Sequence, residues 1–135
     1  MKHLLLTYGT LKKSHRNSAL LDNQKYLGKA ITKDKFRLFE INGNYKYPAM
    51  VSEPLYQVVG ELYECTDKCM DYLDKLEGVN YGLYERRPIL VKTETGEEAE
   101  AIAYFFLKET FDCDDAGPCW PKHDSHFFEE LYEKP

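Results

Sequence analysis

LLLTYGTLKK, residues 4–13, is the stretch on which the fold turns. Leu4, Leu5 and Leu6 read as a buried β-strand, and the chain then runs through Tyr8, Gly9 and Thr10 into basic residues. Gly9 suits the turn because it lacks a Cβ and lets peptide groups come close to a neighbour. A turn of this kind can aim backbone N–H groups at an anion or a developing oxyanion. Residues 14–21 read as a short helix whose N-terminus would add positive potential beside the turn. Tyr8 and Thr10 are not demanded by turn geometry, so they are candidates for shaping a site.

Working outward, strand-like segments recur at residues 3–8, 35–41, 49–51, 57–64, 87–92 and 99–106. Asn42-Gly43-Asn44 signals a turn after the second of these, and Glu94-Thr95-Gly96-Glu97 joins the last two as a hairpin. Besides residues 14–21, only residues 67–76 read as helix, with Thr66 as N-cap, Asp67 in the first turn and Gly78 just beyond the end. Many strands and few helices predict an α+β domain built on a small, mostly antiparallel, barrel-like sheet. The chain of 135 residues fits one domain, with residues about 107–135 a poorly defined tail that is acidic and aromatic. That tail either wraps the body or hangs partly free of it.

Composition narrows the function. The chain is 43% hydrophobic and 14% aromatic with eleven tyrosines, which is globular, and its net charge of −5 speaks against a nucleic-acid binder. The N-terminal apolar run stops after three residues, short of the ~7 of a signal peptide. No run nears the ~18 residues of a membrane helix. A cytoplasmic protein with no membrane association and reduced cysteines is the expectation. Cys113, Cys119, His123 and His126 have the flavour of a zinc site, but their spacing matches no compact ligand set, so no metal is expected. The histidines His15, His123 and His126 fall on no motif and read as solvated.

The second informative stretch is CMDYLDKLEGVNYGLYERR, residues 69–87. At about 100° per residue, Cys69, Met70, Leu73 and Leu76 gather into an arc of about 120°. Glu77 falls inside that arc, and Asp74 at its edge. Either the helix has ended and Glu77 has swung into solvent, or the apolar face carries a carboxylate. In the second case desolvation and the negative end of the helix dipole both raise its pKa, while Arg86 or Arg87 could lower it. A carboxyl tuned upward suits general base and general acid work near neutral pH.

Three elements in this order carry a resemblance: Tyr8-Gly9-Thr10-Leu11-Lys12, Tyr47-Pro48-Ala49-Met50, and Leu73-Asp74-x-x-Glu77-Gly78 followed by Tyr84-Glu85-Arg86. Together they span residues 4–91. The sequence resembles the gamma-glutamylcyclotransferase-like (AIG2-like) proteins, most closely the gamma-glutamylamine cyclotransferases. The resemblance implies a barrel-centred α+β fold and cyclisation of a gamma-glutamyl amide to 5-oxoproline with release of a free amine. It implies Glu77 as the catalytic acid–base residue, and Tyr8, Gly9, Thr10 and Leu11 as the loop that holds the glutamyl moiety. It implies a small-molecule gamma-glutamyl substrate and no metal or cofactor; a protein partner cannot be named. Tyr84 and Tyr104 are possible pocket walls, with core packing as the alternative, and Arg86 either meets substrate or pairs with an acidic neighbour. A non-catalytic binding or interaction module of the same fold is the second reading. It is disfavoured because a binder gains nothing from a costly buried carboxylate.

Overall fold

The computed structural model of the chain describes residues 2–9, 11–12, 18–43 and 45–133. In chain order the elements are β1 (Lys2–Thr7), a 3-10 turn (Ser18–Leu21), β2 (Lys25–Thr32), β3 (Phe36–Ile41), β4 (Tyr47–Tyr56), β5 (Val59–Thr66) and α1 (Asp67–Leu76). There follow a 3-10 turn (Val79–Tyr81), β6 (Tyr84–Thr93), β7 (Glu98–Phe106), β8 (Asp114–Asp115), a 3-10 helix (Lys122–Phe128) and α2 (Glu129–Glu133). Five strands close a barrel in the order β1, β5, β2, β6, β7, and β4, β3 and β8 form a second sheet. Every pairing in the barrel is antiparallel except β1 with β7, which run parallel where Leu5 meets Ile102.

The leucine run at the start of the chain explains itself here. Successive side chains of a strand point to opposite faces, and both faces of β1 are covered. Leu6 joins a core with Ala30, Leu62, Ala101, Ala103 and Phe105. Leu5 points the other way, into a second cluster with Tyr63, Cys65, Met70, Leu73, Tyr84 and Tyr104. A strand buried on both sides must be apolar at consecutive positions, so LLL replaces simple alternation. The same division runs along β7, where Ala101, Ala103 and Phe105 face one core and Ile102, Tyr104 and Phe106 the other.

The second cluster lies between the barrel and α1. Thr66 caps this helix, its Oγ1 accepting from the Cys69 N–H at 3.2 Å. Met70 and Leu73 are fully buried, each contributing about 1.5–3 kcal/mol of apolar burial. The remainder of the predicted stripe differs, because Leu76 is 45% exposed.

Three segments differ from the sequence reading or add to it. β2 was not among the predicted strands: in KYLGKAIT the lysines and Gly28 mask the pattern, and a register shift at residues 26 and 28 breaks the alternation. The predicted helix at residues 14–21 falls partly outside the described residues, and Ser18–Leu21 form a single 3-10 turn. The segment beyond Phe106, for which wrapping the body and hanging partly free were both open, packs along the barrel. Cys119, Phe128 and Leu131 are buried with Ile31 of β2 and Val59 of β5, and the Val59 N–H donates to the Pro118 carbonyl at 3.0 Å. Among the described residues, no helix is long and apolar enough to cross a membrane.

Candidate active site

Where β1 ends, the chain makes a turn closed by the Lys12 N–H donating to the Gly9 carbonyl at 3.0 Å. Gly9 is buried against Pro48 of β4. A Cβ built at Gly9 would stand 2.6 Å from the Pro48 Cγ, closer than any side chain tolerates. The tight neighbour of Gly9 is therefore a proline ring, and this contact brings the Tyr8-Gly9 turn against Pro48 of β4. We expect Gly9→Ala to overpack this contact, at a cost of about 1–3 kcal/mol. Thermal denaturation measures that loss, and a raised KM would report the accompanying displacement of the turn.

Glu77 approaches the same region from α1. The helix has ended at Leu76, and Glu77 is its C-cap, with φ −82° and ψ −2°. Its N–H still donates to the Leu73 carbonyl at 2.8 Å. Gly78 then turns left-handed at φ +67°, a conformation that favours glycine. The Gly78 carbonyl accepts from the Tyr81 and Leu83 N–H groups at 3.0 and 3.1 Å, folding residues 78–83 back on themselves. That return brings Leu83 and Tyr84 beside Glu77. Of the two alternatives for this carboxylate, the structure takes a part of each: the helix has stopped, yet the side chain turns inward.

A cavity of about 200 Å³ lies between these elements. Tyr8, Gly9, Leu11, Glu77, Tyr84 and Tyr104 all line it, joined by Tyr47, Pro48, Leu76 and Leu83. Thr10 lies outside the described residues. Tyr47 has no role legible in the sequence beyond its place next to Pro48 in the second motif. Among the described residues, Glu77 is the one carboxylate in this lining, and no lysine or arginine shares it.

The hydroxyls of three wall tyrosines are committed. Tyr8 donates to the Tyr104 carbonyl at 2.6 Å and accepts from the Met50 N–H at 3.3 Å. Tyr84 donates to the Pro48 carbonyl at 3.2 Å, and Tyr104 to Asp74 Oδ1 at 2.7 Å. A hydroxyl has one hydrogen to give, so none of the three donates to Glu77. Among the described residues no hydrogen bond reaches the Glu77 carboxyl, and desolvation pushes its pKa from 4.5 up to about 7. Burial likewise drives the Tyr8, Tyr84 and Tyr104 hydroxyls far upward, so they remain neutral. Arg86 does not lower the Glu77 pKa as the sequence had allowed. It lies on Asp74, with Nε donating to Oδ1 at 2.8 Å and Nη2 to Oδ2.

Among the described residues no group of three or more His, Cys, Asp or Glu side chains comes together. Cys119 is buried, with its Sγ 3.7 Å from the Pro121 carbonyl, and all four cysteines are free thiols.

A small closed barrel carries a cavity lined by a desolvated carboxyl, a glycine turn and neutral tyrosines, an arrangement that can receive a small molecule and exchange a proton with it. The comparisons give the family. The family Gamma-glutamyl cyclotransferase, AIG2-like matches residues 5–124, well past the span of the three motifs. A Danio rerio protein named Gamma-glutamylaminecyclotransferase A is 32% identical over 117 residues, covering 82% of this chain and 71% of its own length. A Methanocaldococcus jannaschii protein, provisionally named a gamma-glutamylcyclotransferase, is 32% identical over 103 residues, covering 76% of this chain and 82% of its own. The crystal structure of an AIG2-like protein from Mus musculus superposes with a TM-score of 0.73 at 25% identity, covering 82% of this chain and 81% of that one. The chain belongs to the gamma-glutamyl cyclotransferase, AIG2-like family, and is an enzyme of the gamma-glutamylcyclotransferase type.

Proposed function

We propose that the protein cyclises a gamma-glutamyl amine to 5-oxoproline and releases the free amine, with Glu77 as general base and then general acid. The observation that carries this reading is the Glu77 carboxyl, turned into the cavity and given no hydrogen bond by any described residue. A carboxyl in that condition lacks a cationic partner. The α-ammonium of a gamma-glutamyl group supplies one, and it is also the proton the reaction must remove.

Glu77 takes that proton, and the freed amine attacks the γ-carbonyl carbon. A five-membered ring closes as the new N–C bond forms, and the old amide C–N bond then breaks. Glu77 returns the proton to the departing nitrogen, and the second proton of the ring nitrogen passes to the released amine, which leaves as an ammonium, so no co-reactant is consumed. A base with pKa near 7 is matched to both halves of this exchange at neutral pH. The turn after β1 supports the reading as the holder of the glutamyl carboxylate or of the oxyanion, through backbone amides. The neutral tyrosine walls hold the folded conformer of the substrate and exclude water, which adds an entropic share.

The cavity volume suits a glutamyl group with the amine directed outward. The described lining offers no cation to a leaving group of net negative charge, as in glutathione, whereas the lysine of gamma-glutamyl-lysine balances its carboxylate with its own ammonium; this favours a gamma-glutamyl amine over glutathione. The test is turnover of a panel including gamma-glutamyl-lysine and glutathione, followed by release of 5-oxoproline. Product from an amine conjugate, with glutathione slower, is the expected result. Binding of 5-oxoproline with no turnover of any conjugate would transfer the protein to the non-catalytic reading.

A further inference from the structure

The hydroxyls of three wall tyrosines are committed away from Glu77, and the Arg86 guanidinium is carried on the strand that supplies one of those walls. Arg86 lies two residues beyond Tyr84 on β6, hence on the same face of the strand as that cavity wall. Asp74 lies three residues before Glu77, on the adjoining turn of α1. The two meet as a bidentate pair, and the Tyr104 hydroxyl of the cavity wall completes the set by donating to Asp74 Oδ1 at 2.7 Å. The cation is therefore one side chain removed from the pocket, and the carboxylate that claims it belongs to Asp74.

We propose that Asp74 is a positioning residue that holds the Arg86 guanidinium off Glu77, so that the catalytic carboxyl stays without a cation until the substrate brings one. The inference rests on the acid–base role proposed for Glu77. The groups facing Glu77 are neutral tyrosines from four elements: Tyr8 after β1, Tyr47 of β4, Tyr84 of β6 and Tyr104 of β7. Those facing Asp74 are Arg86 of β6, Tyr104 of β7 and His3 of β1. Desolvation works to raise the Asp74 carboxyl, and the hydrogen bonds from Arg86 and Tyr104 outweigh it, holding it below the ordinary carboxylate range. Asp74 thus stays ionised where Glu77 is half-titrated, and the pair presents no net charge to the pocket. Asp71 is the other acid near Arg86, at 4.0 Å, but it is largely exposed and solvent weakens its hold.

The experiment is a carbon-detected NMR titration of the Glu77 carboxyl in ligand-free protein, with kcat/KM against pH measured alongside. In Asp74→Asn the guanidinium loses its anion, and the Glu77 midpoint falls by about 1–3 pH units, as an opposite charge at close range requires. The acid limb of kcat/KM moves down with it. In Asp74→Asn with Arg86→Met the cation is gone too, and the midpoint returns to the wild-type value. A residue that merely braced the helix would change melting temperature without this fall and recovery. An unmoved midpoint in the single variant overturns the inference. If the single variant does not fold, the double variant still decides, because a displaced midpoint there shows that the pair was not electrically silent. The titration needs no substrate, so its failure is distinct from failure of the catalytic reading, which Glu77→Gln turnover tests.

Discussion

Glu77→Gln is expected to fold, to keep its affinity for 5-oxoproline, and to lose turnover by about 10²–10⁴-fold, the share that general acid–base help supplies. The amide has nearly the shape of the carboxyl, so the cavity walls should not move. It cannot take a proton from the substrate ammonium, and the ring does not close. Wild-type turnover from this variant, measured as 5-oxoproline released, would remove Glu77 from the mechanism. The same substitution carries a second signature in stability. The Glu77 carboxyl is raised in the folded state from 4.5 to about 7. Between those values the folded protein holds a proton that the unfolded chain has lost, so stability falls as pH rises through this window and stays lowered above it. A change of this size corresponds to about 3 kcal/mol at full burial, and solvent at the pocket mouth reduces it to about 1–2 kcal/mol. Glutamine does not titrate. The variant should therefore gain in melting temperature relative to wild type between pH 4.5 and 7, and hold that gain at pH 8. A difference independent of pH would show that the carboxyl is not desolvated in the folded protein.

Lys12→Met is expected to cost about 3–5 kcal/mol of stability, as removal of one partner from a buried ion pair does. Lys12 is 1% exposed, although it follows Leu11 in a stretch that reads as a basic surface turn. Its Nζ donates to the Trp120 carbonyl and, at 3.3 Å, to Asp124 Oδ2, and it stands 5.2 Å from the centre of the Phe128 ring. A methionine of similar length fills the space but leaves the Asp124 charge buried without this cation. Urea denaturation reads the loss as a lower midpoint. Adding Asp124→Asn should recover part of it, because the buried charge that has lost its lysine is then removed. There is a consequence for the site as well. Leu11 lines the cavity, and Lys12 ties that loop to residues 118–128 from behind, so KM should rise in Lys12→Met even at temperatures where the variant is folded. A loss below about 1 kcal/mol, the range of an exposed pair, would show that the lysine is not held as described.

Much of this architecture could be read from the chain because local chemistry and tertiary demand agree there. Residues 67–76 begin at a threonine cap and end before a glycine, and α1 has those bounds. The Glu94–Glu97 turn lies between two strands that pair along their length. Where a strand's pattern is interrupted, as by Gly28 in β2, the pairing came from neighbours on either side, β5 and β6, and no local signal announced it. The tail behaves the same way. Cys119, Phe128 and Leu131 are buried against β2 and β5, strands far away in sequence, while Phe111 and Phe127 stay exposed, so nothing within the tail told which of its residues would pack.

The candidate site divides along the same line. The residue types were legible: a glycine turn after an apolar strand, and a glutamate in the sector of the helix that carries its apolar residues. Their meeting was not, since it depends on Pro48 lying against Gly9 and on residues 78–83 folding back to carry Tyr84 to Glu77. The placement of charge was decided wholly in three dimensions. Arg86 is close enough in sequence to pair with Glu77, Asp74 or Asp71, and only the packing of β6 against α1 gives it to Asp74. Sequence alone determined which groups are able to titrate. The pKa of Glu77 depends on how many donors and how much water surround it, and that surrounding is assembled from β1, β4, β6 and β7, whose contributions lie far apart along the chain.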